Sequence, residues 1–312
     1  MVKLYFNNPL WKVPSTWRST YNFDGVIKRL SKETKAVLRD AIANNNTCSC
    51  NKQIFKSLIK LNLCNDLGEL THEGIVTSIA LLPLERQAEI LSLPINKLEL
   101  NYKNAPEIDV MKYLLTNNYQ YVCYSEGGII MTLIFCMCFK EIYQNWQQHP
   151  WCKEYGKDYA ISYLYSGGIL SYEELLEFNP ELPKYLLDSI LKANEDDIVK
   201  AFTIIRKWHK DMGWSGDNWP FRDWSGLSLE LLLAVYKILN NKKLTSIAKV
   251  FFTDPYAFGK GWPDLLAIDE NNRLMLSEVK TTDKLYVSQI INIPVMADFI
   301  PTEIIKLSKI KN

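Results

Sequence analysis

Three charged side chains lie in otherwise apolar runs near the C-terminal end of the sequence. In FGKGWPDLLAIDENNRLMLSEVKTTDKL, residues 258–285, Asp264 opens one run, and Glu278 and Lys280 lie near the end of the next. The turn-forming residues DENN separate the two runs, so the segment is predicted to be a β-hairpin. A turn at that place puts Asp264 opposite Ser277 or Glu278, and side chains on such facing positions are close neighbours.

The chemistry that this pattern predicts is metal binding. Glu278 and Lys280 are two residues apart on one strand and share a face, whereas Val279 points the other way, into the core. Adjacent carboxylates repel each other unless a cation lies between them, and their oxygens suit Mg²⁺ or Mn²⁺. Beside such an ion, Lys280 would orient or deprotonate a water and stabilise charge on a phosphorus under attack.

An ordinary cross-strand charge network is the alternative interpretation of these residues. It accounts for the pair of Glu278 and Lys280. It does not account for the loop GKGWP, residues 259–263, which brings backbone close to Asp264. The sequence therefore favours the metal site.

Length and composition describe a globular protein with a substantial core. The chain has 312 residues, of which 47% are hydrophobic, enough for one large domain or two ordinary ones. The formal net charge of +1 gives no basic signal for the whole molecule, so contact with nucleic acid requires a local patch. Residues 1–60 supply one, with eleven Lys and Arg against three Asp and Glu.

Cysteine content and hydropathy predict the compartment. The seven cysteines are an odd number, and the sequence starts without a signal-peptide pattern. A reduced cytoplasmic protein is expected, nucleoid-associated or, in a eukaryote, nuclear. The long apolar run at residues 127–139 is shorter than the ~20 residues that span a bilayer, so it is predicted to be a buried helix, and no membrane association is expected.

The first hundred residues have mainly helical patterns. Two short helices at about 32–45 and 51–62, then an apolar hairpin and a helix with Thr71 as its N-cap, follow the order of a winged helix. The second helix of such a domain can enter a DNA groove. It carries a stripe of three lysines on one face, Lys52, Lys56 and Lys60. The alternative is that these lysines only solvate the outside of a helical domain.

The residues quoted above also resemble a known family. P-D, about fourteen residues and then E-V-K resembles the PD-(D/E)xK nucleases, and the flanks KGWPDLLAI and LSEVKTTDKLYVSQ are similar to the VRR-NUC branch. Upstream, CYSEGGIIMTLIFCMCFKEIY places Glu126 before a long apolar helix. That segment resembles the helix that supplies the first active-site glutamate in the Fanconi-associated nuclease subgroup. Together the two matches cover roughly a third of the chain.

The resemblance implies a mixed, helix-rich α/β fold: a restriction-endonuclease-like core with a central mixed sheet flanked by helices. It implies four ligands for one or two Mg²⁺ or Mn²⁺ ions: the carboxylates of Glu126, Asp264 and Glu278, and the backbone carbonyl of Val279. Lys280 would assist the attacking water. Gln289 matches the closing glutamine of the motif and would support the active site. Lys260 and Lys284 are further candidates for DNA contact.

The polar segment LELNYKNAPEI, residues 98–108, predicts a domain boundary. Residues 1–100 would then be a winged-helix-like DNA-binding or accessory domain. Residues 101–312 would be the nuclease domain, with a helical insertion at about 143–255. Within it, Pro294 is expected to kink or end a helix.

The function implied is that of a hydrolase: a metal-dependent, structure-selective DNA nuclease that cuts near flaps, forks or junctions. Branched or flapped DNA would be its partner. Two alternatives remain from the sequence. One is a sequence-specific restriction-type endonuclease, since the fold supports both. The other is a non-catalytic DNA-binding module whose acidic site is vestigial.

Overall fold

The computed structural model describes residues 21–103, 105–148, 176–211, 226–253, 255–281 and 284–310. Its helices are α1 (Phe23–Arg29), α2 (Lys32–Ala43), α3 (Lys52–Lys60), α4 (His72–Ala80), α5 (Leu84–Ile90), α6 (Pro106–Leu115), α7 (Gly128–Gln148), α8 (Leu182–Lys192), α9 (Glu195–Asp211), α10 (Leu229–Thr253), α11 (Pro255–Phe258) and α12 (Val287–Ala297). Among the helices in these ranges, none combines the length and apolar character that crossing a bilayer requires.

A mixed β-sheet forms the centre of the fold. Its strands are β1 (Ile95–Glu99), β2 (Tyr119–Tyr124), β3 (Leu265–Asp269), β4 (Leu274–Lys280) and β5 (Thr302–Ser308). They lie in the order β1-β5-β4-β3-β2. Strand β5 is parallel to both of its neighbours, whereas β3 is antiparallel to β4 and to β2. The mixed, helix-rich α/β fold class is therefore confirmed.

The predicted hairpin is strands β3 and β4 with a tight turn between them. Asp269 closes the turn, because its Oδ1 accepts hydrogen bonds from the backbone N–H of Asn271 (2.9 Å) and Arg273 (2.8 Å). The pairing runs up to Leu265 opposite Ser277. Continuing this register by one residue places Asp264 opposite Glu278. This is one of the two arrangements that the turn predicted.

Alternate residues of β4 face two different cores. Leu274 and Leu276 belong to the large helical core that includes residues of α7 and α12. Val279 belongs to a second core on the other face, together with Val110 of α6. Since side chains alternate along a strand, Glu278 and Lys280 share the face that α7 and α12 cover. Their position opposite to Val279 is as predicted.

Helix α12 connects the parallel strands β4 and β5 and packs on the sheet through apolar side chains such as Ile293 and Val295. Pro294 lies inside this helix and is buried, yet the helix continues to Ala297. Of the two expected outcomes, a kink or an end, the end at the proline is therefore excluded. The surrounding core holds the helix together although proline donates no backbone hydrogen bond.

The N-terminal helices have a small core of their own, formed by Val26, Leu30, Leu38, Ala41, Leu58, Leu63, Cys64 and Leu70. Helix α4 begins at the predicted cap, where Thr71 Oγ1 accepts the N–H of Gly74 at 3.0 Å. The chain before it turns at Gly68 (φ 86°) and pairs Cys64 with Leu70 in antiparallel fashion. The order of two helices, a hairpin-like turn and a third helix is as predicted.

This N-terminal region is joined to the rest of the fold. Strand β1 pairs in parallel with β5, with Ile95 beside Ile304. Val76 and Ile79 of α4 belong to the same core as Ile304. The predicted boundary at residues 98–108 thus leaves β1 on the N-terminal side, although this strand is part of the central sheet.

The predicted helical insertion at about 143–255 falls partly outside the described residues, which omit 149–175 and 212–225. Its described part contains the last turn of α7 and the whole of α8, α9 and α10. Helices α8 and α9 pack against α7 and α10. Helix α10 has a break at Asn240, whose φ of 54° and ψ of 168° are not helical.

Candidate active site

A cleft of about 410 Å³ opens where the end of β2, the start of β3, the end of β4 and the start of α12 meet. Its lining includes Tyr124, Glu126, Asp264, Lys280, Tyr286 and Gln289. Several of these side chains belong to the predicted site. The cleft therefore lies where the sequence placed the chemistry.

Asp264 and Glu278 form the centre of the cluster. Asp264 is partly buried, and its Oδ2 accepts the backbone N–H of Val279 across the hairpin at 2.8 Å. Burial raises the pKa of Asp264 above the usual carboxyl range, and the nearby charge of Glu278 raises it further. A proton or a cation is needed to hold these two acids together.

Glu278 is 0% exposed and has two hydrogen-bond donors on one oxygen. Lys280 Nζ lies 2.7 Å from its Oε1, and Gln289 Nε2 donates to the same atom. Its other oxygen, Oε2, is buried and has no hydrogen-bond partner among the residues that the structure describes. Burial raises the pKa of Glu278, while the Lys280 ammonium and Gln289 lower it and the charge of Glu126 raises it.

Glu126 is attached to this pair through its backbone. The N–H groups of Ser125 and Glu126 both donate to the Asp264 carbonyl, at 3.0 and 3.3 Å. Glu126 has a φ of 46°, an unfavourable region for a residue with a side chain, and such strain is common at functional sites. Its exposed carboxylate accepts the Tyr124 hydroxyl at 2.8 Å.

Two glycines allow the loop before β3 to lie against the neighbouring helices. Gly127 (φ 80°) precedes α7, and a Cβ there would lie 2.2 Å from the ring of Trp262. Gly261 (φ 73°) meets the first turn of α12, where a Cβ would lie 2.3 Å from the backbone of Ser288. Trp262 is itself buried. The segment GKGWP is thus fixed between α7 and α12, next to Asp264.

The donor set fits a hard divalent cation, because it consists of carboxylate oxygens with one buried oxygen that lacks a hydrogen-bond donor. Within the described ranges, however, no group of three or more His, Cys, Asp or Glu side chains is arranged to hold a metal ion. Asp264 and Glu278 follow the last paired residues of the hairpin, Leu265 and Ser277, whereas the Glu126 carboxylate accepts the Tyr124 hydroxyl. Val279, whose carbonyl is the fourth predicted ligand, lines the same cleft.

The other predicted residues lie at different distances from this centre. Gln289 contacts Glu278 directly, and Lys260 is exposed on the lining of the cleft. Lys284 Nζ donates to the Leu81 carbonyl at the end of α4 (3.0 Å), so it links the two regions of the chain. The lysine stripe of α3, Lys52, Lys56 and Lys60, is exposed and does not line the cleft.

Two tyrosines in the cleft were missed by the sequence analysis. Tyr124 is the last residue of β2 and donates its hydroxyl to Glu126, which lies beyond the strand with a positive φ, so the alternation of the strand does not predict this contact. Tyr286 lies with its ring centroid 4.8 Å from Lys280 Nζ. It carries no motif or spacing that singles it out.

Comparison with known proteins agrees with this geometry. Residues 196–306 match the model of the VRR-NUC domain. That range contains Asp264, Glu278, Lys280 and Gln289, and it leaves out Glu126. Comparison with curated protein sequences gives no match.

The whole described fold is similar to two solved structures of paFAN1, one bound to 2-nucleotide 5′-flap DNA with a gap and one to 1-nucleotide 5′-flap DNA with a gap. Each has 17% sequence identity and a TM-score of 0.52, and the match covers 100% of this chain and 55% of that chain. The chain spans about half the length of these structures. The likeness is one of fold and fits a restriction-endonuclease-like core, and the domain match at residues 196–306 confirms the resemblance to VRR-NUC nucleases.

Proposed function

We propose that the chain, whose residues 196–306 match the VRR-NUC domain, is a metal-dependent, structure-selective DNA nuclease. It hydrolyses phosphodiester bonds near flaps, forks or junctions. The observation that carries the proposal is the pair of buried residues Glu278 and Lys280 beside the partly buried Asp264, at an open cleft. Buried charges are costly, and groups whose pKa values are shifted by burial and by charged neighbours cluster at functional sites.

Asp264 and Glu278 would hold Mg²⁺ or Mn²⁺, with Glu126 and the Val279 carbonyl as further ligands. When bound, such an ion activates a water and stabilises charge on the phosphate. The Glu278 oxygen without a hydrogen-bond donor supports this assignment, since carboxylate oxygens are the ligands that these ions prefer. The Tyr124 hydroxyl meanwhile orients Glu126 at the mouth of the cleft.

The remaining side chains orient the Glu278 carboxylate and place positive charge in the cleft. Gln289 donates to Glu278 and fixes the direction of its carboxylate. Lys280 is 5% exposed and bonded to the same oxygen, so its ammonium is kept at one position. From there it orients a water and offsets negative charge that develops on the phosphate. Lys260, exposed on the cleft lining, is placed to contact a DNA phosphate.

The test is cleavage of a matched panel of flap, fork, four-way junction, nicked duplex and linear duplex, each with Mg²⁺, Mn²⁺ or EDTA. We expect cutting of the branched substrates with either metal and none in EDTA. Cutting of the linear duplex at discrete sequences would instead identify a restriction-type endonuclease. If no substrate is cut with either metal, the proposed function is wrong.

A non-catalytic DNA-binding module is the second candidate, and one observation favours it. The carboxylate of Glu126 is bonded to Tyr124, and the described residues hold no ready group of three ligands. A site that binds metal raises the melting temperature at millimolar Mn²⁺, because the ion stabilises the folded state. An unchanged melting temperature, together with DNA binding in EDTA, would support the module.

A further inference from the structure

Tyr286 has a residue type and exposure that the fold does not require. It is the N-cap residue of α12, a position that favours Ser, Thr, Asp or Asn because their short side chains accept from the first turn. The tyrosine side chain is 63% exposed, so it contributes little to the core. Gln289 meets the backbone need of this position by accepting the Tyr286 N–H at 2.9 Å.

The ring of Tyr286 lies beside the proposed chemistry. Its centroid is 4.8 Å from Nζ of Lys280, which is bonded to Glu278. One face of the ring is thereby turned to the ammonium. Since most of the side chain is exposed, the ring has surface left for another flat group.

Tyr286 also lines a second cleft, of about 460 Å³, which adjoins the first. Lys260 and Ser288 line both clefts as well. The far wall of the second cleft is the start of the N-terminal helical region, formed by Tyr21, Asn22, Phe23 and Asp24. A nucleic-acid strand whose phosphate lies at Asp264 and Lys280 thus has an adjoining space for the next nucleotide, with Tyr286 on the border.

We propose that Tyr286 is a specificity-determining residue that stacks on an unpaired nucleobase next to the cleaved phosphate, with the second cleft receiving that nucleotide. The inference rests on the proposed nuclease function and names its substrate feature. Aromatic side chains bind unpaired bases by stacking, irrespective of sequence. A base inside a duplex is already stacked on both faces, so it offers the ring no surface. The preference for flaps or forks would then come from this contact.

The substitution Tyr286→Ser separates this role from a structural one. Serine is a favoured N-cap residue, so the variant should melt at the same temperature as the wild type or higher. We expect its affinity for a flap to fall about tenfold, while its affinity for a nicked duplex stays the same. Tyr286→Phe keeps the ring and should behave as the wild type does in both respects.

The measurement is fluorescence of 2-aminopurine at the first unpaired position of a flap, with the full chain in EDTA so that no cleavage interferes. Stacking on the wild-type ring should quench the signal, Tyr286→Phe should quench it equally, and Tyr286→Ser should not. The same base placed within a duplex arm is the control and should respond alike to all three proteins.

Equal quenching and equal flap preference for Tyr286→Ser and the wild type would overturn the inference and leave the nuclease function standing. The same holds if the wild type cuts flaps without quenching the unpaired base. If the wild type neither binds nor cuts any DNA of the panel, the proposed function itself fails, and the inference fails with it.

Discussion

The cluster at the end of the hairpin and the lysine stripe of α3 are both charged, and they differ in burial and in partners. Glu278 and Lys280 are 0% and 5% exposed and are bonded to each other, and Glu278 also accepts a hydrogen bond from Gln289. Lys52, Lys56 and Lys60 are all exposed. Buried charges require defined partners, whereas exposed lysines are stable in many settings.

Burial determines how strongly each charged side chain depends on its neighbours. In the cluster, changing one group alters the pKa values, the hydrogen bonds and the packing of the others. In the stripe, changing one lysine alters mainly the long-range attraction to a polyanion such as DNA. We therefore expect large effects at the cluster and small, salt-dependent effects at the stripe.

The largest effect is expected for the two acids of the cluster. Glu278→Gln and Asp264→Asn remove the negative charge that a divalent ion requires, while they keep the shape of the side chain. Cleavage of a flap in Mn²⁺ should fall on the order of a thousandfold, and binding in EDTA should stay close to that of the wild type. The matched control is Glu270→Gln, an exposed acid at the turn of the same hairpin, which should cut normally. Wild-type rates in either cluster variant would contradict the assignment.

The next effect concerns Lys280. Lys280→Met leaves the Glu278 carboxylate buried without its ammonium partner, which should destabilise the protein by about 3 kcal/mol at neutral pH. Cleavage should fall about a hundredfold at a temperature where the variant is folded. Thermal unfolding measures the loss of stability, and single-turnover cleavage measures the loss of rate.

Lys306→Met is the matched control for Lys280. Lys306 occupies the facing position on β5 and is ion-paired with the exposed Glu85. Because exposed pairs contribute little, its removal should change stability and cleavage only slightly. If the two variants behave alike, burial is not what distinguishes the cluster.

A smaller effect is expected for the pH dependence of stability. The pKa values of Asp264 and Glu278 are raised in the folded state, chiefly by burial, above an unfolded value of about 4. The folded state therefore binds more protons, and the metal-free protein should lose stability as the pH rises from about 4 through these raised values.

Thermal unfolding in EDTA across that pH range measures the loss, and Asp264→Asn should flatten it. Mn²⁺ should raise the melting temperature more at pH 8 than at pH 5, since it competes with protons for the carboxylates. The same dependence of melting temperature on pH in Asp264→Asn and in the wild type would contradict the raised pKa of Asp264.

The smallest effect is expected at the stripe. If its lysines contact DNA phosphates, replacing Lys52, Lys56 and Lys60 by alanine should weaken DNA binding and reduce the salt dependence of log K by about one for each lysine. The preference for flap over duplex should not change. An exposed lysine triple elsewhere, Lys184, Lys192 and Lys200, is the control. An equal loss in both variants would mean that the stripe only solvates its helix.

The hairpin and its charges could be predicted because their signals are local. The turn residues fixed the register to within one position, and the alternation of β4 placed Glu278 with Lys280 and opposite to Val279. The start of α4 followed from its capping residue Thr71 in the same way. Each of these inferences depends on neighbours a few residues apart.

What could not be predicted depends on contacts distant in sequence. Strand β1 pairs with β5, which is far from it in sequence, as the pair Ile95 and Ile304 shows. The residue pattern of one strand does not predict which other strand it pairs with. The hydrogen bond from Leu285 N–H to Gln87 Oε1 and the second cleft beside Tyr286 also join parts of the chain that are distant in sequence. Pro294 continues its helix because packing against the sheet outweighs a local preference.

The most direct test of the account is a crystal structure of the protein soaked in Mn²⁺, with anomalous scattering recorded for the metal. The account predicts an anomalous peak bonded to a carboxylate oxygen of both Asp264 and Glu278, at about 2.1 Å from each, and loss of that peak in Glu278→Gln. A contradictory result would be a structure at millimolar Mn²⁺ with no manganese between the two acids. In it, Asp264 would still accept the Val279 N–H, and Glu278 would still be bonded to Lys280 and Gln289.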